Sequence, residues 1–161
     1  MQNLYRTADI AKILGVEEWR IKNFSQGKAY NLEPSIRLGS GQRRWRVYTS
    51  QDVLKHAIAG ELVRFGFGPE AVGKALDAIS ESQLTSWTSR IADAGEQGEE
   101  PDWKELPLLV NARGDWKVMK ASAFEKRYLG YGGEWAGVFV LNYPSLLGQV
   151  IKQINEYEGR K

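Results

Sequence analysis

Thr7-Ala8-Asp9-Ile10-Ala11-Lys12-Ile13-Leu14-Gly15-Val16-Glu17-Glu18-Trp19-Arg20-Ile21-Lys22-Asn23-Phe24 is the stretch on which the fold of this 161-residue chain turns. Thr7 can N-cap a short helix whose apolar positions Ile10, Ala11 and Leu14 share one face, and Gly15 admits the positive φ that ends it. A second helix is predicted over residues 17–24, burying Ile21 and Phe24 while Arg20, Lys22 and Asn23 point elsewhere; the spacing leaves Trp19 open. Ala11 is the small residue where two helices approach, Gly15 the turn, and Ile21 the core residue beyond it. That is the spacing of a helix-turn-helix.

Outward from this pair, residues 35–38 and 44–49 flank Gly39-Ser40-Gly41, a connection suited to a hairpin. Thr49-x-x-Asp52 has the form of a capping box, and Val53, Leu54, Ala57, Ile58 and Leu62 make one helical face behind it. Phe65-Gly66-Phe67-Gly68-Pro69 stops that helix and starts another at Pro69, with Val72, Ala75, Leu76 and Ile79 inward. Ser82 then caps a segment carrying Leu84, Trp87 and Ile91, and residues 95–102, GEQGEEPD, form an acidic linker. Residues 106–112 and 116–122 read as a hairpin turning at Arg113-Gly114-Asp115, and residues 135–142 as a third strand. Pro144 opens a final helix with Leu146, Leu147, Val150, Ile151, Ile154 and Tyr157 along one stripe. The expected fold class is α+β. Residues 1–80 form a winged helix-turn-helix domain, 81–102 a helix and linker, and 103–161 a small lobe with a few antiparallel strands and a terminal helix.

Composition narrows the chemistry. Apolar residues are 42% and charged residues 26% of the chain, as in ordinary globular domains. With no cysteine and one histidine, disulfides, thiolate nucleophiles and Cys-rich zinc sites are excluded. His56 lies beside the apolar face of its helix and has no second ligand, so it is expected at the surface or half-buried and not as a metal ligand. The glycine runs at residues 39–41 and 130–133 lack the remainder of a phosphate-binding motif and read as turns. No catalytic residue, metal or cofactor is expected.

Charge is unevenly spread: residues 1–60 carry 10 Lys and Arg against 5 Asp and Glu, and residues 61–161 carry 12 against 15. Arg37, Arg43, Arg44 and Arg46 fall within ten residues, interleaved with Trp45 and Tyr48. Basic residues mixed with aromatics are a nucleic-acid footprint; a merely solvated face is the plainer alternative. A helix-turn-helix places the exposed side of its second helix in the major groove, where Arg20, Lys22 and Asn23 reach bases or phosphates.

The order helix-turn-helix, Arg-rich hairpin, capped helix, Gly-Phe break and further helix resembles the DNA-binding domain of the MerR family of bacterial transcription regulators. The resemblance covers residues 4–79. It rests on Thr7-Ala8-Asp9-Ile10-Ala11 with Leu14-Gly15-Val16, on Arg46-Val47-Tyr48 followed by Asp52, and on Phe65-Gly66-Phe67-Gly68-Pro69-Glu70. It implies that the second helix enters the major groove while the wing grips the flanking backbone. The implied contacts with double-stranded DNA are Thr7, Trp19, Arg20, Lys22, Asn23, Arg37, Arg43, Arg44, Arg46 and Tyr48. A contact with RNA polymerase and residence at the bacterial nucleoid follow from the same resemblance. Lys22-Asn23-Phe24-Ser25 stands where the family has an Arg-Tyr-Tyr-Glu run, so any base preference is this chain's own.

A homodimer is expected through the final helix, with Leu146, Leu147, Val150, Ile151 and Ile154 as contacts, because three short strands are a small sheet to cover such a stripe. Trp103, Trp116, Tyr128, Tyr131 and Trp135 form either a pocket for a flat effector, of unknown identity, or the core and dimer surface of the lobe. The rival functions are an excisionase-like or architectural DNA-bending factor and a protein-interaction adaptor using the basic wing. Residues 135–151 are an uncharged run of 17, short of the ~20 needed to span a bilayer, and no export signal is read at the start. A cytoplasmic location without membrane contact is expected.

Overall fold

The computed structural model describes residues 3–26, 30, 32–38, 45–97, 105, 107–129 and 138–160. Among them it is an α+β structure of seven α-helices, a two-stranded ribbon and a three-stranded antiparallel sheet. The chain divides into two compact units, one of Met1–Leu76 with Gln149–Lys161, the other of Asp77–Gly148. The first unit is therefore discontinuous, whereas the sequence pattern assigns the whole final helix to the C-terminal lobe.

In the first unit, α1 (Thr7–Leu14) is followed by α2 (Glu18–Gln26). The N-cap of α1 is Arg6 and not Thr7, and the backbone N–H of Arg6 is taken by Asp9 Oδ2 at 2.7 Å. At the other end Gly15 sits at φ 64°, its N–H reaching Lys12 O at 3.4 Å while Val16 N–H reaches Ala11 O at 3.0 Å. Those two bonds make a Schellman stop, and the left-handed conformation is why a glycine stands there. The buried face of α1 is Ile10, Ala11 and Ile13; Leu14, expected inside, is only half-buried.

The ribbon consists of β1 (Ile36–Leu38) and β2 (Trp45–Val47), antiparallel, with Ile36 opposite Val47, Arg37 opposite Arg46 and Leu38 opposite Trp45. Beyond it, Tyr48 and Tyr5 exchange backbone hydrogen bonds of 2.8 and 2.9 Å. The helix α3 (Ser50–Arg64) starts at the expected Thr49 cap, where Asp52 closes the capping box, and α4 (Pro69–Asp77) starts at Pro69.

In the second unit, α5 (Glu81–Gln97) is capped by Ser80, not Ser82: Gln83 N–H meets Ser80 Oγ at 3.2 Å and Ser80 N–H meets Gln83 Oε1 at 2.9 Å. The helix also runs through residues 95–97, the start of the expected linker; a single glycine costs an α-helix only about 1 kcal/mol. The rest of that linker, residues 98–102, lies outside the described residues. The sheet has the order β4-β3-β5, with β3 (Pro107–Ala112), β4 (Asp115–Lys120) and β5 (Val138–Leu141). Leu109 and Val110 on the central strand point to opposite faces and are both buried. A short α6 (Ala121–Phe124) runs into one π-helical turn, Glu125–Leu129, neither of which the sequence pattern announces.

The last helix, α7 (Tyr143–Glu158), begins in this unit and ends in the first. Of its apolar stripe, Leu147, Val150 and Ile154 are buried within one chain, and Leu146 and Ile151 are half-buried. No described helix is long and apolar enough to cross a membrane.

Candidate nucleic-acid interface

Helix α2 has two clean sides. Ile21, Phe24 and Ser25 are buried, and Trp19, Arg20, Lys22, Asn23 and Gln26 are exposed. At 100° per residue, Trp19, Lys22, Asn23 and Gln26 fall on one i, i+3, i+4, i+7 stripe, with Arg20 beside it. Trp19 is 57% exposed, unusual for so large an apolar ring, and the Arg20 guanidinium lies 5.7 Å from its centroid. Lys22 pairs with Glu18 at 2.9 Å, a surface contact worth a few tenths of a kcal/mol that a stronger anion easily displaces.

The hidden side of α2 is fixed by polar chemistry. Ser25, Thr49, Asp52 and His56 are the buried polar or charged side chains among the described residues that sit in the core, and hydrogen bonds tie them into two clusters around the start of α3. Tyr48 Oη donates to Ser25 Oγ at 2.8 Å, and Ser25 Oγ lies 2.9 Å from Ile21 O and 3.4 Å from His56 Nε2. His56 Nδ1 is 2.8 Å from the carbonyl of Asp52, which makes Nδ1 the protonated nitrogen of a neutral ring. Burial holds His56 below the usual histidine pKa, with the Asp52 carbonyl opposing that shift. The ring is fully buried, not half-exposed as its place beside the apolar stripe suggests, because Ser25 of α2 lies against its far nitrogen and the Tyr48 ring packs on it edge-on at 5.4 Å.

The ribbon is anchored at its base by Asp52. Its carboxylate accepts from Ser35 Oγ at 2.6 Å, from Thr49 N–H at 2.8 Å and from Thr49 Oγ1 at 3.1 Å. One side chain thus caps α3 and holds the residue just before β1.

Of the expected contact residues, Trp19, Arg20, Lys22, Asn23 and Arg46 are exposed, and Thr7 is half-buried in the first turn of α1. Arg37 is the backbone partner of Arg46. Arg43 and Arg44 lie outside the described residues, as do the hairpin glycines. Tyr48 must be corrected: its side chain is fully buried, and its hydroxyl is used on Ser25, so it faces the core and not a ligand. The alternation of β2 ends at Val47, after which Tyr48 turns inward to pair with Tyr5. Ser35, Asp52 and His56 were missed as supports of the site; the one available signal was a lone histidine four residues after a capping aspartate. Trp103, Tyr131 and Trp135 lie outside the described residues, while Tyr128 is buried and Trp116 meets Phe139 edge-on at 6.1 Å. No group of three or more potential metal ligands occurs among the described residues. No protein-family model matches the chain, and no curated protein matches it in sequence.

Proposed function

We propose that the N-terminal unit works as a winged helix-turn-helix and that the protein is a sequence-specific DNA-binding regulator of transcription. The observation that carries this is the exposed side of α2, where Trp19, Arg20, Lys22 and Asn23 stand together on a helix locked from behind by Ser25 and Tyr48. A rigid helix fixes its side chains in register with base edges, which a mobile segment does not. Lysine and arginine suit guanine, asparagine suits adenine, and an exposed indole suits the thymine methyl. Arg46 on the ribbon supplies phosphate contact beside the groove, and the basic balance of residues 1–60 supports the same polarity.

A homodimer would present two such helices to a two-fold site, with Leu146 and Ile151 among the parts of the α7 stripe left partly open for contact. The test is selection of bound duplexes from a randomised double-stranded pool by the full chain. A recurring sequence in the recovered pool is expected; binding of every duplex alike, or of none, rejects sequence-specific regulation.

A further inference from the structure

Trp19 and Arg20, the second and third residues of α2, act as a unit on its exposed side. Neighbouring side chains leave a helix about 100° apart, yet the Arg20 guanidinium folds back to 5.7 Å from the indole centroid. A guanidinium can rest on an aromatic ring by its flat face, which leaves its in-plane N–H fork for a second partner. The indole in turn is the most exposed large apolar side chain among the described residues. Within α2, Arg20 and Lys22 outnumber the single carboxylate, Glu18, which Lys22 engages at 2.9 Å, so the helix presents a net positive charge to phosphates.

Each member of the pair suits one feature of the major groove. A guanidinium fork matches O6 and N7 of guanine, and an apolar surface matches the 5-methyl group of thymine. Cytosine carries no methyl group, but methylation at C5 places one where thymine has it. The separation of the two side chains decides how far apart those features lie. At 5.7 Å it accommodates one base step of about 3.4 Å with a lateral offset and falls short of the about 6.8 Å of two steps, so guanine and methylated base are neighbours. The position in the helix agrees, because the N-terminal residues of a recognition helix are those that meet base edges.

We propose that the Trp19–Arg20 pair reads one step of double-stranded DNA, a guanine next to a 5-methylated pyrimidine, and that binding therefore responds to cytosine methylation. Arg20 takes O6 and N7 of the guanine, and the indole of Trp19 covers the methyl group of the adjacent thymine or 5-methylcytosine. Unmethylated cytosine at that place leaves the indole against water. This inference rests on the reading of α2 as a DNA-recognition helix and adds to it the chemical class of base that the helix selects.

The sequence that the full chain selects from a randomised duplex pool supplies the probe, and fluorescence anisotropy compares chemical versions of it. It should contain a thymine beside a guanine, and uracil in place of that thymine should weaken binding about fourfold, the effect of one buried methyl group. Replacing the same T·A pair by C·G should weaken binding at least as much, and 5-methylation of the new cytosine should restore about fourfold. Trp19→Ala should bind the thymine and uracil duplexes alike. Arg20→Ala should lose the preference for guanine over 7-deazaguanine, which lacks the N7 acceptor and should bind the unaltered protein about fivefold or more weakly. Both side chains are exposed, so neither variant should shift Tm by more than a degree or two. Recovery of no recurring sequence rejects α2 as a base-reading helix and this inference with it. Given a recurring sequence, the inference alone is overturned if no thymine in it adjoins a guanine, if uracil binds as thymine does, or if Trp19→Ala still distinguishes the two.

Discussion

The phenol of Tyr5 donates a hydrogen bond to the carboxylate of Glu158, 153 positions later in the chain. Asn3 Nδ2 reaches the same oxygen at 2.6 Å, and Tyr157 Oη donates to Asp9 Oδ1 at 2.5 Å. The last turn of α7 is thereby fastened to the segment that leads into α1, within the first unit. Burial, with the Glu158 hydrogen bond second, pushes the Tyr5 pKa up to about 12. An unfolded tyrosine releases its proton near pH 10, so the unfolded state deprotonates first and stability falls as pH climbs from there towards the folded value.

Tyr5→Phe should therefore cost about 1–2 kcal/mol at neutral pH and flatten part of the alkaline loss of stability. Urea unfolding of both proteins at about pH 8 and about pH 11 measures this. Parallel pH dependence in the two proteins would remove the Tyr5–Glu158 bond from the account. The same contacts bear on dissection: a fragment ending near residue 80 lacks Gln149–Lys161 and should unfold at lower urea than the same unit in the full chain.

Asp52 joins the ribbon to α3 through Ser35 and Thr49. Asp52→Ala leaves a cap open and two buried donors unsatisfied, and should destabilise the protein by about 2–4 kcal/mol. Asp52→Asn keeps an acceptor oxygen and should lose clearly less. A loss below about 0.5 kcal/mol for the alanine variant in denaturant titration would show that water replaces the carboxylate without penalty.

His56 should make the protein acid-sensitive. Its folded pKa is lowered by burial, so below about pH 6.5 the unfolded state takes up a proton that the folded state refuses. Stability then rises with pH through this window and is lost on acidification. Thermal melts at about pH 7 and about pH 5 should show a drop that is smaller in His56→Phe, although that variant is less stable at neutral pH because Ser25 loses a neighbour. An equal drop in both would assign the acid sensitivity to other groups.

The longer helices were legible because their signals are local. Gly15, the Thr49-x-x-Asp52 box and Pro69 each determine a helix end through one or two nearby backbone bonds, and each stands where the sequence places it. What covers an apolar face is not local. The stripe on α7 shows which side is hidden, but nothing between residues 143 and 158 says that Glu158 meets Tyr5. The three-residue strand β2 is likewise too short for alternation to orient Tyr48, whose direction is set by its pairing with Tyr5. On α2 the exposed arginine, lysine and asparagine followed directly from helical period. The buried support behind them did not, since Ser25 and His56 are 31 positions apart.

Tyr143, at the first position of α7, is fully buried and its hydroxyl has no hydrogen-bond partner among the described residues; burial raises its pKa. A buried hydroxyl left unpaired costs folding free energy that a hydrogen atom does not. Tyr143→Phe should stabilise the protein by about 1 kcal/mol, raising Tm by about 2–4 °C. A lower Tm would mean that the hydroxyl does find a partner in solution.

The proposed interface makes a prediction that separates its two parts. Arg46 sits on a short ribbon, where a long charged side chain can follow the phosphate backbone without reading it, whereas Asn23 is held on a helix whose other side is buried. Arg46→Ala should weaken selected and random duplexes by the same factor and lower the slope of log K against log salt by about 0.9, the release of one counterion. Asn23→Ala should leave that slope unchanged and instead weaken the selected sequence by about 1–3 kcal/mol relative to random DNA. Both side chains are exposed, so neither change should alter Tm by more than a degree or two, and a loss of binding cannot be ascribed to unfolding. Fluorescence anisotropy over a salt series reads both quantities on the same samples. If Asn23→Ala lowers affinity for every duplex equally, α2 contributes charge and shape but no base recognition, and the protein is not a sequence-specific regulator acting through that helix.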